Sequence, residues 1–290
     1  MNFDEMMASA WSQLDRLAHK FDDHSDEADL PMELFHYTSA EGFIGIVDSR
    51  VLWASDMLCL NDASEAEYAT QMITDAVNGN LYLLPAEHRQ AFDESLRSAF
   101  RMYTPFVACF CEDGDLLSQW RGYGGSGAGF ALGFSRSWLS CSALVDDAKF
   151  RLLRVTYSPA KQRHLIQEYL QGAATVSRNL EISEDGRWFW GIAANAMAHL
   201  VVAFKNPVFE AENEWRLVNP TIITGEYYGH RRSGHRIVPY VRIPIQENAA
   251  ITSLVRGPYF VDDRGSEDLL RYSGFKAAGN TRNSKIPLRP

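Results

Sequence analysis

Residues 116–134 read LLSQWRGYGGSGAGFALGF. Within them Gly122-Tyr123-Gly124-Gly125-Ser126-Gly127 matches G-x-G-x-x-G. That pattern serves a dinucleotide only when a strand precedes the glycines and a helix follows, so that the helix N-terminus receives the pyrophosphate. Here the order is reversed. The helix-like LLSQWRGY comes before the glycines and the β-rich FALGF comes after. An acidic residue about 20 positions on is expected to bind ribose, and Asp146 and Asp147 are weak candidates for it. No Gly-Lys-Ser/Thr closes the run, so a Walker loop is absent as well. Five glycines in eight residues (122, 124, 125, 127 and 129) instead predict a pliable loop between a short helix and a strand.

Working outward, Met7, Trp11, Leu14, Ala18 and Phe21 recur at steps of three and four, which predicts an amphipathic helix over 1–22. FDDHSDEADLP then breaks the pattern with charge and Pro31 and reads as an acidic linker. LFHYTS (34–39) is a short strand, and Thr38 and Glu41 form a T-x-x-E capping box that opens a helix. VLWAS (51–55) is the next strand, Asn61-Asp62 opens a helix, and 85–103 reads as a second long one. PFVACFC (105–111), GFALGF (129–134), RLLRVTY (151–157), EWRLV (214–218), IVPYVRIPI (237–245) and ITSLVRG (251–257) read as strands. A Ser135-capped turn follows the second of these, helix fills roughly 160–205, a small helix lies near 266–274, and a last strand near 284–288. Strands and helices do not alternate, so an α+β fold is favoured over a doubly wound sheet. The expected organisation is an accessory segment over 1–30 and one α+β domain over 31–290.

The 290 residues include 46% hydrophobic and 22% charged side chains, an ordinary globular balance that excludes wholesale disorder. Residues 1–30 carry eight acids against two bases, and 231–290 carry eleven bases against five acids. The basic end could face phosphates or an acidic partner, but a net charge of −9 excludes a non-specific nucleic-acid binder. Cys59, Cys109, Cys111 and Cys141 form no C-x-x-C, and no secretory leader is evident, so a reduced cytoplasmic protein is expected. The longest apolar run, Ile192–Phe204, is too short to span a bilayer, so no membrane partner is expected. No H-E-x-x-H or other metal-ligand spacing occurs, and no metal is expected.

Polar groups at strand ends supply the chemistry. His36 and Tyr37 are adjacent, so a strand points them to opposite faces. A satisfied core histidine is the simpler use of His36. Ser118, Trp120, Arg121 and Tyr123 cluster beside the glycines, where aromatic rings can stack on a base and Arg can fork to phosphate. A surface helix with one buried Trp explains the same residues. Glu210, Glu212 and Glu214 alternate, so a strand would put all three on one face, and Arg216 on that face offers Glu214 an ion pair.

Five blocks, HYTSAEGFIGIVDSRVLWASDMLCLNDASE, LLSQWRGYGGSGAGFALGF, NPVFEAENEWRLV, SLVRGPYF and NSKIPLR, resemble in order the blocks of the bacterial domain of unknown function 2971, from about residue 34 to 289. That family implies no activity. A first-strand His, a middle aromatic segment and a late-strand Glu also resemble the His–Tyr–Glu plan of ADP-ribosyltransferases. The opening HYTSAEGFIGIVDSRVLWAS is similar to that of the DNA-targeting and RNA-phosphotransferase-like members. This resemblance implies a split, mixed or antiparallel β core with surrounding helices, and NAD as substrate. It implies His36 on an NAD ribose hydroxyl, with Tyr37 and Thr38 beside it. Trp120 or Tyr123 would stack near nicotinamide, and Ser118 and Arg121 would complete the cofactor site, Arg121 on the pyrophosphate. Glu214, or else Glu212, would be the catalytic carboxylate. The middle motif, Ser118-x-Trp120-Arg121, departs from the family pattern. The expected function is ADP-ribosyl transfer from NAD to a macromolecular acceptor, protein or nucleic acid, or NAD glycohydrolysis, in a toxin or phage-defence setting. The alternative is a non-catalytic nucleotide-binding or protein-interaction module, and residues 1–30 could dock a protein partner.

Overall fold

The computed structural model describes residues 2–19, 31–59, 63–141, 150–182, 186–219, 228–233, 235–260 and 264–287. The acidic linker after the first helix, the helix entry at Asn61-Asp62, and Asp146 and Asp147 lie outside these residues. Chain contacts define two compact units that interleave along the sequence. One comprises Met1–Asp23, Leu60–Thr104 and Val155–Phe209, and the other His24–Cys59, Pro105–Arg154 and Glu210–Pro290.

The first unit is helical. It contains α1 (Phe3–His19), α3 (Ala63–Asn80), α4 (Arg89–Met102), α7 (Pro159–Asn179) and α8 (Arg187–Ala198). The helix expected over 85–103 begins only at Arg89, because 3₁₀ turns occupy 81–83 and 86–88 around Pro85. The helical stretch expected over 160–205 divides into α7, α8 and a 3₁₀ turn over His199–Ala203. Tyr169, Leu170, Phe189, Trp190 and Met197 are almost wholly buried. A buried Lys205–Glu65 pair at 2.7 Å lies in the same unit, and the side chain of Gln162 donates to the carbonyls of Thr156 and Lys205.

The second unit carries all ten strands of the described residues in one mixed, open sheet. They are β1 (Glu33–Thr38), β2 (Val51–Asp56), β3 (Phe106–Cys111), β4 (Phe130–Ser135), β5 (Arg151–Arg154), β6 (Glu214–Asn219), β7 (Tyr228–Ser233), β8 (Arg236–Pro244), β9 (Ile251–Arg256) and β10 (Thr281–Asn283). Every pairing is antiparallel except β9 with β10. Four helices belong to this unit, α2 (Ala40–Ser49), α5 (Leu117–Gly122), α6 (Arg136–Cys141) and α9 (Arg264–Tyr272). One large core gathers Leu34, Phe43, Leu52, Phe110, Phe130, Phe134, Trp215, Val241 and Leu254. A smaller one on the opposite face holds Phe35, Tyr37, Cys111, Trp120, Ala131 and Val255. The strand expected over 151–157 stops at Arg154, and Thr156 alone bridges onward, to Phe204. The last strand comes earlier than expected, at Thr281–Asn283.

The sheet parts in its middle. One edge of β3 is covered along its whole length by β6, from Phe106↔Asn219 to Cys111↔Glu214. The other edge is shared. β2 takes its start through Val107↔Ser55 and Phe106↔Asp56, and β1 takes its end through the single rung Cys111↔Phe35. Between them Ala108, Cys109 and Phe110 meet no strand of the described residues on that side. Each neighbour follows its own partner instead. β1 keeps six rungs with β4, and β2 keeps five with β8. Strand twist then carries the two arms apart, and β3 with β6 and β5 forms the stem between them.

Candidate functional site

The parting leaves backbone groups of β3 without a ladder partner, and buried backbone groups must be satisfied somehow. His36 does this for Cys109, with its Nδ1 2.9 Å from the Cys109 carbonyl oxygen. A carbonyl only accepts, so Nδ1 carries the proton and Nε2 of the neutral ring is an acceptor. The ring lies 5.7 Å from that of Phe110. Burial lowers the His36 pKa below its ordinary value of 6.5, the Cys109 hydrogen bond opposes this, and the charge of Arg231 lowers it further.

Glu214 opens β6 and is only 3% exposed. Arg216, wholly buried, grips it with two bonds, Nε to Oε1 at 2.7 Å and Nη2 to Oε2 at 3.2 Å. The ion pair anticipated from the spacing is therefore formed. Directly opposed strand residues share a face, so Phe35, Cys111 and Glu214 form one row. His36 lies one residue past the single rung of β1 with β3, and alternation turns its Cβ to the other face. The two residues are joined through the stem. His36 bonds Cys109, Cys109 opposes Arg216, and Arg216 holds Glu214.

The three glutamates do not share a face. Glu210 and Glu212 sit in a 3₁₀ turn over Pro207–Glu212, and the strand begins only at Glu214. Asn213 between them adopts φ +43°, a left-handed conformation that Asn tolerates better than most residues. Strand alternation is therefore broken just where the sequence pattern assumed it.

Tyr37 and Trp120 belong to the smaller core. The Tyr37 hydroxyl donates to the Asp113 carbonyl and accepts the Leu116 N–H, both at 2.8 Å, and burial drives its pKa well up. Trp120 is wholly buried, packs edge-on to Tyr37 at 4.8 Å, and gives its indole N–H to Asp115 at 2.8 Å. Asp115 also accepts from Ser284 and from the Lys285 N–H, tying the segment after β10 to this corner. Burial raises the Asp115 pKa, but the bonds from Ser284, Lys285 and Trp120 outweigh it and the carboxylate titrates below the usual range. Ser118, Arg121 and Tyr123 are exposed. Within this segment Tyr123, 41% exposed, is the ring that faces water.

The glycine loop closes over the end of β1. A side chain on Gly129 would run into the Thr38 carbonyl, and one on Gly127 would meet the Tyr259 ring at 2.9 Å. Gly125, Ser126 and Gly127 are left-handed in succession, at φ +56°, +56° and +96°. Helix α2 starts beside them. Its N-cap is Ser39, whose hydroxyl accepts the Gly42 N–H, not Thr38 as the T-x-x-E spacing suggested. Thr38 is still paired in β1, opposite Phe130, so its backbone is not available to cap.

The second lip of the parting had no signal in the sequence. Ser55, on β2, is buried and pairs with both Val107 and Tyr240. The side chain of Arg231, on β7, crosses β8 to donate Nη2–H to the Ser55 hydroxyl at 3.1 Å. Among the described residues no group of three or more His, Cys, Asp or Glu is arranged to hold a metal ion, and no helix is long and apolar enough to cross a membrane.

Residues 119–217 match the family described as Protein of unknown function (DUF2971), which supports the resemblance to that family. Neither a curated protein nor a solved structure matches the chain. The matched span runs from Gln119 through the glycine loop to Arg216 and Leu217, so it takes in the Glu214 pair and stops short of His36 and β1.

Proposed function

We propose that the sheet unit binds NAD along the parting between β1 and β3 and transfers its ADP-ribosyl group to a macromolecular acceptor or to water. The observation that carries this reading is the parting itself, with a neutral His36 at its lip and Glu214 on the next strand of the stem. The resemblance to ADP-ribosyltransferases implies a split β core, and the parting supports that reading. The Nε2 lone pair of His36 is suited to accept a ribose hydroxyl. Arg216 holds the Glu214 carboxylate in place through two hydrogen bonds. A fixed carboxylate stabilises the oxocarbenium-like cation that forms as the C1′–N bond breaks. The bonding pair leaves with nicotinamide, and the acceptor nucleophile or water then bonds to C1′. Tyr123 is the exposed ring of the glycine segment and replaces Trp120 as the stacking surface. Glu212 is left as the secondary choice of carboxylate.

Nicotinamide release from NAD, followed by chromatography at high enzyme concentration, tests this directly. Release is expected from the wild type and its loss in Glu214→Gln, with a weaker NAD affinity in His36→Ala. Removing one partner of a buried ion pair costs about 3–5 kcal/mol, so circular dichroism must show the variant folded. No release with any acceptor from a cell extract would overturn the reading.

One observation favours a second reading, a non-catalytic nucleotide-binding module. Glu214 is 3% exposed and already engaged by Arg216. That reading expects thermal stabilisation by NAD or ADP with no turnover, and conversion of the ligand by purified protein would exclude it.

A further inference from the structure

Arg231 is placed where a cation has little reason to be. β7 is the outer strand of its arm, so a side chain there could reach water directly. His230 and Arg232, its neighbours, are exposed. Arg231 instead lies half-buried across β8 and ends at the Ser55 hydroxyl on β2. Among the described residues no carboxylate lies within ion-pair distance of it. Asp56, the carboxylate next to Ser55, accepts the Leu58 N–H at 2.9 Å. A guanidinium has five N–H donors, and one is used. Other inward-turned arginines of this unit are matched. Arg256 meets Glu267, Ser266 and Asn283, and Arg50 meets two carbonyls and Asn248.

The position matters as much as the missing partner. Ser55 pairs with Val107, the last residue of β3 before the open stretch Ala108–Phe110, and Phe35 pairs with Cys111, the first residue after it. Arg231 therefore reaches one lip of the parting, at Val107, and His36 bonds Cys109 two residues on, roughly 7 Å along β3 at the strand rise per residue. The cation also bears on His36, whose pKa it lowers.

We propose that Arg231, anchored by Ser55, is the phosphate-binding residue of this site and takes the pyrophosphate of a dinucleotide whose ribose meets His36. The proposal rests on the NAD reading for the choice of a pyrophosphate. It assigns to Arg231 the role that the resemblance implied for the exposed Arg121. A planar guanidinium with several donors left binds a phosphate oxygen pair bidentately, and partial burial strengthens that bond.

Isothermal titration with NAD, ADP and nicotinamide riboside, on wild type and Arg231→Gln, tests it. Arg231→Gln is expected to weaken NAD and ADP about 10- to 100-fold, the loss of one charge-assisted bidentate contact. Nicotinamide riboside, which lacks the phosphates, should bind both proteins alike. Arg231→Lys should fall between, since a point charge cannot fork. Should Arg231→Gln fail to fold, Ser55→Ala, which frees the guanidinium, is expected to weaken ADP several-fold. Equal ADP affinity in wild type and the folded variants overturns the proposal, as does a wild type that binds neither ADP nor pyrophosphate at millimolar concentration. Arg231-dependent ADP binding without nicotinamide release keeps this proposal and removes the NAD reading. NAD cleavage with kcat and KM unchanged in Arg231→Gln does the reverse.

Discussion

The His36 imidazole resists protonation because three influences on it are unequal. Burial lowers its pKa, the Cys109 carbonyl pulls the other way, and Arg231 lowers it again. The side chain of His36 is therefore expected to titrate below 6.5 in an NMR pH series, and Arg231→Gln should move the midpoint upward. A midpoint at or above 6.5 in the wild type would contradict this environment. The sign for stability follows. As pH falls through 6.5 the unfolded chain takes up a proton that the native ring still refuses, so this residue makes the protein less stable below that pH. The loss ends once the native ring is protonated too. The simpler reading of this residue, a satisfied histidine at a strand end, is the one the Cys109 hydrogen bond bears out. Its partners were not legible, since Cys109 and Arg231 come from strands 73 and 195 positions away and no local pattern records them. Trp120 shows the same limit. A surface helix with one buried Trp was one of the two readings of this segment and is the one the structure has, but nothing in the sequence told that Asp115 would hold the indole N–H.

Elements were read best where period and punctuation agree. The order helix, glycines, strand around residue 122 survives intact as α5, the loop and β4, and so does the rejection of a Rossmann turn. Elements set by pairing were read worst. β7 had no clear strand signal, because its alternation of His230, Arg231 and Arg232 is polar, and it is a strand by virtue of its pairing with β8. The glutamate row failed because one left-handed residue, Asn213, resets the alternation. No local pattern places the parting, since it arises from β1 and β2 competing for one edge of β3. Within the glycine loop the glycines differ in kind. Gly127 has φ +96° and abuts the Tyr259 ring, whereas Gly122 ends α5 with open space around its Cα. Urea denaturation should show Gly127→Ala costing about 1–3 kcal/mol, from left-handed strain and contact together. Gly122→Ala should fall within about 0.5 kcal/mol of wild type or stabilise slightly. Equal effects at the two positions would mean that the loop is not held as described.

Across the whole chain, the helical unit is assembled from three separated segments, and α1 is one of them. The sequence offered residues 1–30 as a docking arm for a partner. The face of α1 made by Ala10, Leu14 and Ala18 is already covered within the unit, where α1 lies against α7 and α8. Met6 and Leu17 are partly buried, and Phe3 at 53%, Met7 at 37% and Trp11 at 45% are exposed. Both sets recur at helical spacing, so periodicity alone could not say which was the core. The inner set should decide stability. Leu14 is wholly buried, and Leu14→Ala removes its transfer energy and leaves a cavity, an expected loss of about 2–5 kcal/mol in urea denaturation. Trp11→Ser, larger in volume but already near half in water, should cost less than about 1 kcal/mol. If instead Trp11→Ser is the more damaging, α1 is rotated from the orientation described, and its buried face would be the stripe through Phe3, Met7 and Trp11.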